Sequence, residues 1–138
     1  MKDIVNTKIK FREPHRPFAP SVLAESAENY FELQHATQHY PARYMLYVVP
    51  VKEDKKEKLP AITHVDGTGR LQTVFESQSP RYYNLIKRFG QATGTPIILN
   101  TSFNLRGEPI VTTPANAYST FSRSEMDSLV LENVIIDK

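Results

Sequence analysis

The sequence predicts an α/β domain in which a twisted, mixed sheet is flanked by a few helices. Three segments of the 138-residue chain carry this prediction. Residues 97–99, Ile-Ile-Leu, are a short continuous apolar run, which is typical of a strand buried on both faces. Residues 44–51, YMLYVVPV, predict a second strand, and residues 80–90 carry apolar side chains at helical spacing. The class follows from this mixture of strands and helices.

The composition bounds the function classes. With 40% hydrophobic and 23% charged residues the chain is globular, and its length suits one domain over residues 1–138. It has no cysteine, which excludes disulfides, a thiol nucleophile and cysteine-ligated zinc. A net charge of +2 does not by itself indicate nucleic-acid binding. No apolar run approaches the roughly 20 residues of a membrane span, and no secretory signal is seen, so a cytoplasmic location without a membrane partner is expected.

The N-terminal segment is basic and then rich in proline. Residues 6–11 alternate loosely, which predicts a strand with Lys10 and Arg12 among the cations on one face. Three prolines between residues 14 and 20 exclude a helix and predict a stiff, extended crossing. That stiffness would hold Arg12 and Arg16 in place at little entropic cost. The alternative is a solvated edge strand that its lysines protect from aggregation.

The next segments predict a helix, a strand and a loop. Residues 21–31 predict a helix with a serine as its N-cap, and residues 44–51 predict the strand already named. Residues 52–58, KEDKKEK, predict a solvated loop. His35 and His39 have the spacing of a metal-binding pair on a helix, but no third ligand accompanies them, so no metal site is predicted.

Turn signals dominate residues 60–75. Asp66-Gly67 and Thr68-Gly69 predict a tight turn between two short strands, the second over residues 71–75, and therefore a hairpin. His64 and Arg70 lie on either side of that turn. A structural role for the histidine is the favoured interpretation on the sequence alone.

The second half of the chain predicts two helices and three strands. A helix begins at Ser79-Pro80 and is closed by one of two later glycines. It leads into the central strand, residues 96–100. Thr113-Pro114 predicts the cap and first turn of a helix to about Ser122. Residues 128–131 and 134–136 are then predicted to close the sheet.

A polar loop follows the central strand directly. Open α/β sheets place ligands at the carboxyl ends of their strands, so these side chains are candidates for binding. The alternative is a loop whose Asn and Ser side chains satisfy their own backbone. The polar residues are Asn100, Thr101, Ser102, Asn104, Arg106 and Glu108.

No glycine-rich phosphate loop is present, so a nucleotide would have to be held by side-chain cations. Guanidinium groups bind phosphate oxygens in bidentate fashion, whereas a lysine acts as a point charge. Ser102 and Asn104 would add neutral donors. We expect Lys10 and Arg12 to face this pair across a space the size of an anion. The candidate cations are Lys10, Arg12, Arg16, Arg70 and Arg106.

Two short motifs and four longer blocks carry a resemblance to known proteins. Lys10-Phe11-Arg12 with Ser102-Phe103-Asn104 resembles the KxR…SxN signature of the YrdC-like fold. The blocks KFREPHRPFAPSVLAE, THVDGTGRLQTV, NTSFNLRGEPIV and LVLENVIIDK resemble the C-terminal domain of the O-carbamoyltransferases that modify nodulation factors and antibiotics. The likeness covers nearly the whole chain, and four blocks in the same order are more specific than the two short motifs.

The resemblance implies a YrdC-like domain that makes carbamoyl-adenylate from carbamoyl phosphate and ATP, with Mg²⁺ accompanying the ATP. It also implies a separate N-terminal domain of actin-like fold, which holds a metal and transfers the carbamoyl group to an acceptor hydroxyl. This chain would then be a fragment of a longer protein. By motif, the residues that bind carbamoyl phosphate and the nucleotide phosphates would be Lys10, Arg12, Arg16 and Arg70. Ser102 and Asn104 would hold the nucleotide, with His64 and Arg106 as further members of the pocket.

Two other functions remain open from the sequence. Related YrdC-like domains act in transfer-RNA modification, so the basic N-terminus could serve a nucleic-acid-binding module, although the small net charge does not favour it. A docking domain without catalysis, which packs on the N-terminal domain, is the other alternative.

Overall fold

The computed structural model describes residues 1–138, which divide into two compact units. The first comprises residues 1–16 and 102–138, and the second comprises residues 17–101. Each contains both helices and strands, and the second holds a mixed four-stranded sheet, so the predicted α/β class is confirmed.

The sheet of the second unit has the strand order β2-β3-β1-β4. Strand β1 pairs in parallel with β3 and antiparallel with β4, and β2 pairs antiparallel with β3. Pairs of both kinds make the sheet mixed, as predicted. The strands are β1 (Ala19–Leu23), β2 (Tyr47–Pro50), β3 (Thr68–Val74) and β4 (Ile97–Asn100).

The helix predicted for residues 21–31 is wrong. Its first three residues belong to β1, and a 3₁₀ helix follows over Ala24–Asn29. All five residues of β1 are buried. A strand covered on both faces is apolar throughout, and its side chains can match a helical stripe by coincidence. Three further 3₁₀ helices, one of them in the segment predicted as a solvated loop, are Ala36–Gln38, Tyr40–Tyr44 and Glu53–Lys58.

The predicted hairpin is wrong, although its turn is present. His64 N donates to Thr68 O at 2.7 Å and Gly67 N to His64 O at 3.0 Å, so the chain reverses here. Asp66 accepts from both the backbone and the hydroxyl of Thr68, which stabilises the turn. The residues before this chain reversal form turns and not the first strand of a hairpin. Strand β3, which contains Arg70, pairs with β2 and β1.

Strand β4 was predicted as a central strand buried on both faces, but it lies at one edge of the sheet, and only Ile97 in it is buried. The preceding helix, α2 (Pro80–Thr93), is confirmed. Gly94, with φ of 75°, closes it and donates to Gly90 O at 2.8 Å. Tyr83 and Ile86 of α2 pack with Leu23 of β1 and Val74 of β3.

The first unit begins with a helix, so the strand predicted for residues 6–11 is wrong. Helix α1 (Lys2–Ile4) continues as a π-helix over Val5–Ile9, and Lys10 N donates to Val5 O at 2.8 Å. Loose alternation over six residues does not distinguish a strand from a short helix. The π-helix is favoured because it lets Asn6 donate hydrogen bonds to the carbonyls of Pro14 and Arg16.

The rest of the first unit is a helix packed on a hairpin. Helix α3 (Pro114–Ser122) is confirmed, and its N-cap Thr113 accepts from Asn116 N at 3.1 Å. Strands β5 (Ser128–Leu131) and β6 (Val134–Asp137) pair only with each other, so they do not close the sheet as predicted. Leu129 packs on Ala117 and Phe121 of α3, and this contact gives the hairpin its own core. No helix of either unit has both the length and the apolar character needed to cross a membrane.

Candidate functional site

A polar cleft of about 220 Å³ lies within the first unit. Its walls come from the segment after the π-helix and from the polar loop that follows β4. Six of the eight residues predicted for the site line it. The lining residues are Lys10, Arg12, Glu13, Arg16, Ser102, Asn104, Leu105, Arg106 and Gly107.

Lys10 joins the two walls directly. Its side chain is almost fully buried, at 5% exposure, and its ammonium contacts four oxygens. Ser102 O lies at 2.6 Å, Asn104 O and Oδ1 both lie at 2.8 Å, and Ser102 Oγ lies at 3.3 Å. An ammonium has three protons, so these neutral oxygens use all of them. The expected anion-sized space between Lys10 and this pair is therefore absent, and the cleft lies beside the contact.

The charge of Lys10 is held in an unfavourable setting. Burial lowers the pKa of its ammonium, and the nearby positive charge of Arg12 lowers it further. None of the four oxygens that contact it carries a full negative charge. An anion in the cleft would relieve this imbalance.

The polar loop owes its shape to its own side chains. Ser102 Oγ donates to Asn104 Oδ1 at 2.6 Å, and Asn104 Nδ2 donates to Glu108 O at 2.8 Å. Gly107, with φ of 79°, supplies a left-handed backbone at the end of the loop. The alternative interpretation, in which Asn and Ser satisfy the loop itself, thus describes part of what is seen. The same arrangement presents four oxygens to Lys10.

Arg12 is held by a residue that the sequence did not single out. Arg12 Nε donates to Asn6 Oδ1 at 2.7 Å. Asn6 is fully buried, and its Nδ2 donates to Pro14 O at 3.1 Å and to Arg16 O at 2.8 Å. The sequence pattern carried no signal for Asn6, because its partners lie six, eight and ten residues later in the chain.

One carboxylate lies among the four cations of the cleft. Glu13 is 3.7 Å from Arg16 Nη1 and 3.9 Å from Arg106 Nη2. Its own backbone N–H lowers the pKa of Glu13, and the charges of Arg106 and Arg16 lower it further. Four cations and one carboxylate leave a formal charge of +3 around the cleft. This positive charge favours an anion in the cleft.

The size of the cleft limits what it can hold. Pockets for drug-sized ligands measure roughly 300–1,000 Å³, and this one, at about 220 Å³, is smaller. It has room for a phosphate-sized group or for part of a nucleotide. Guanidinium groups suit such a ligand because two parallel N–H donors match two phosphate oxygens.

Two predicted site residues belong to the second unit and are absent from the lining of this cleft. Arg70 is exposed on β3, opposite Val48 of β2. His64 Nδ1 lies 3.1 Å from Thr68 Oγ1, and the His64 backbone closes the turn described above. These contacts stabilise the turn.

The chain's own residues do not fit a resident metal ion. No group of three or more His, Asp or Glu side chains is close enough to hold one. Mg²⁺ is usually bound by one or two carboxylates together with substrate phosphates. Glu13 is the sole carboxylate of the cleft, and it faces two arginines.

The whole chain is similar to known proteins. The family model described as Carbamoyltransferase C-terminus matches residues 1–138. Nodulation protein NolNO of Sinorhizobium fredii is 49% identical over 99% of this chain, and nodulation protein NolO of Bradyrhizobium diazoefficiens is 47% identical over 99% of it. An uncharacterized protein of Synechocystis sp. is 46% identical over 100% of the chain. The aligned regions span only 20%, 25% and 25% of these three relatives. The chain belongs to the carbamoyltransferase C-terminus family.

Proposed function

We propose that this chain supplies the carbamoyl-adenylate-forming part of an O-carbamoyltransferase. One observation carries the proposal: four cations surround a small cleft that contains one carboxylate, and the buried ammonium among them contacts only neutral oxygens. Membership of the family supports the assignment to carbamoyl transfer. The substrates are carbamoyl phosphate and ATP.

The proposed reaction has two steps. Carbamoyl phosphate and water give carbamate and inorganic phosphate. An oxygen of carbamate then forms a bond to the α-phosphorus of ATP, while the bond from that phosphorus to pyrophosphate breaks. The protein needs no covalent intermediate for this chemistry. It has to place the two anions in line and stabilise the charge that develops on the phosphate oxygens.

The arginines and the lysine of the cleft have different roles in this proposal. Arg12, Arg16 and Arg106 bind phosphate oxygens directly. Lys10, whose protons are already used, ties the polar loop to the N-terminal segment and acts as a fixed positive charge. Ser102 and Asn104 shape that loop and hold the nucleotide from it. His64 and Arg70 stay predicted members of the nucleotide site.

Transfer to the acceptor hydroxyl is assigned to a partner domain. The curated relatives are about four to five times longer than the region they share with this chain, since that region spans only 20–25% of them. We propose that an N-terminal domain of actin-like fold receives the carbamoyl-adenylate.

Two measurements test the proposed function. Binding of carbamoyl phosphate and of ATP with Mg²⁺ is followed by calorimetry, and pyrophosphate release is measured when all three are combined. Arg12→Gln removes one cleft cation and should weaken binding about tenfold or more, because a charge-assisted hydrogen bond is lost. The matched control is Lys8→Gln, which removes a cation from the same segment. Lys8 is exposed and pairs with Glu125 at 3.4 Å.

The two substitutions separate a specific site from general attraction to a basic protein. Binding that Lys8→Gln leaves within about twofold and Arg12→Gln reduces supports the cleft as the site. Equal losses in both variants, or no binding of either ligand by the unsubstituted chain, would contradict the proposal.

A further inference from the structure

We infer that Asn6 is a positioning residue that fixes Arg12, and the backbone of Arg16, in the geometry that binds a phosphate-sized anion. The inference rests on the proposed function. It names a residue that touches no ligand and acts through its neighbours.

The carboxamide of Asn6 is buried at 0% exposure and meets three partners. Its oxygen accepts from Arg12 Nε at 2.7 Å, and its nitrogen donates to Pro14 O at 3.1 Å and Arg16 O at 2.8 Å. Both N–H donors are therefore used. A reversed amide would place two donors against Arg12 and an oxygen against two carbonyls, so only one orientation fits.

The local backbone brings Asn6 to this position. Residues 5–9 form a π-helix, and the Asn6 carbonyl accepts from Arg12 N at 2.9 Å. Phe11, between the two site cations, has a left-handed φ of 49°, an uncommon conformation for a non-glycine residue. The contacts of Asn6 thus join the π-helix before this bend to the segment after it.

The positive charges of Arg12 and Arg16 explain why Asn6 has to hold them in place. Arg12 is partly buried, and burial lowers the pKa of its guanidinium, as does the nearby positive charge of Arg16. Two guanidinium groups that repel each other would separate if their supports were loose. Asn6 holds the guanidinium of Arg12 directly, and it holds Arg16 at its backbone carbonyl, where that side chain begins. The cost of ordering these side chains is then met before an anion arrives.

A double-mutant cycle with inorganic pyrophosphate as the probe tests the inference. Asn6→Ala should raise the pyrophosphate Kd about tenfold, because Arg12 loses its fixed orientation. In an Arg12→Ala background the same substitution should change Kd by less than about threefold, since the residue it positions is gone. The control is Thr7→Ala, which removes a hydrogen bond to Asp3 O on the same helix and should leave Kd within about twofold.

A second measurement is made on the native chain and needs Arg12→Lys, a conservative change, only to assign one signal. The Nε–Hε signal of Arg12 in the NMR spectrum, assigned by its loss in Arg12→Lys, should be protected from solvent exchange, and that of Arg16 should not. Protection of Arg12 together with non-additive effects in the cycle supports the inference. Fast exchange at Arg12, an unchanged Kd in Asn6→Ala, or fully additive effects would overturn it. A native chain that binds no pyrophosphate would instead contradict the proposed function, and the exchange measurement would still show whether Asn6 holds Arg12.

Discussion

The ammonium nitrogen of Lys10 lies 2.8 Å from the side-chain oxygen of Asn104, which is 94 positions later in the chain. Ser102 and the backbone of Asn104 supply its other partners. This contact closes the first unit around the candidate cleft. It makes Lys10 a structural residue as well as a source of positive charge.

Lys10→Met should therefore destabilise the fold. The substitution keeps most of the side-chain volume but leaves two carbonyl oxygens without a donor, one each from Ser102 and Asn104. An unsatisfied buried polar group costs about 1–3 kcal/mol, and because Ser102 is exposed and Asn104 half-buried, a loss of about 1–2 kcal/mol is expected. Urea unfolding measures it. Lys8→Met, at an exposed position, should change the free energy of unfolding by less than about 0.5 kcal/mol. Equal losses in the two variants would contradict a stabilising role for the contact between Lys10 and the polar loop.

Glu13→Gln should strengthen anion binding. Glu13 is the sole carboxylate of the cleft and lies between Arg16 and Arg106 at distances too long for direct hydrogen bonds. Its removal frees both guanidinium groups from a competing negative charge, and the effect is modest because the ion pairs are exposed to solvent. The pyrophosphate Kd should fall about twofold to fivefold at low salt, and less at high salt.

The matched control for that prediction is Glu125→Gln. Glu125 also pairs with a cation, Lys8, but lies outside the lining of the cleft. Its substitution removes the same charge and should leave Kd nearly unchanged. Weaker binding in Glu13→Gln would show that the carboxylate orders the arginines more than it competes with the anion.

Elements with local end signals were the ones the sequence predicted well. Helix α2 begins at Pro80 and ends before Gly94, and α3 begins after the capping Thr113. Each signal acts through its own backbone, so no distant contact is needed to interpret it. Residues 6–11 and 21–31 have no comparable stop signals, and their structure depends on distant partners.

In the candidate site, too, features with a local sequence signal were predicted and features that depend on distant contacts were not. The paired motifs around Lys10 and Ser102 indicated which segments meet. They did not indicate that the ammonium would contact the loop directly, because that depends on how the loop turns at Asn104 and Gly107. Asn6 was not predicted as a site residue because its role depends on carbonyls eight and ten residues away.

Gly90→Ala should destabilise α2, although alanine is normally the better helix former by about 0.5–1 kcal/mol. A Cβ added at Gly90 would lie 2.6 Å from Pro96 Cβ and 2.8 Å from Pro96 Cα. The crowded Pro96 atoms include backbone, so the connection from α2 to β4 would have to shift. A net loss of about 1–3 kcal/mol is expected from thermal or urea unfolding. Gln91→Ala, one position along the same helix and exposed, is the control and should be close to neutral.

Acid should weaken the polar loop through the ion pair of Glu108 and Arg123. Arg123 Nη1 donates to Glu108 Oε1 at 2.5 Å, and the Glu108 carbonyl accepts from Asn104. The hydrogen bond from Arg123 lowers the pKa of Glu108 below its ordinary value of 4.5.

A carboxyl group with a lowered pKa in the folded state contributes stability that is complete above the unfolded pKa. That contribution is lost as the pH falls through the folded pKa. Arg123→Gln should therefore be less stable than the native chain at pH 7, and the two unfolding free energies should converge as the pH falls through the lowered folded pKa of Glu108. Arg88→Gln, at an exposed position of α2, is the control and should run parallel to the native curve. A constant difference between Arg123→Gln and the native chain over the whole acid range would show that the ion pair adds no pH-dependent stability to the loop that carries Asn104.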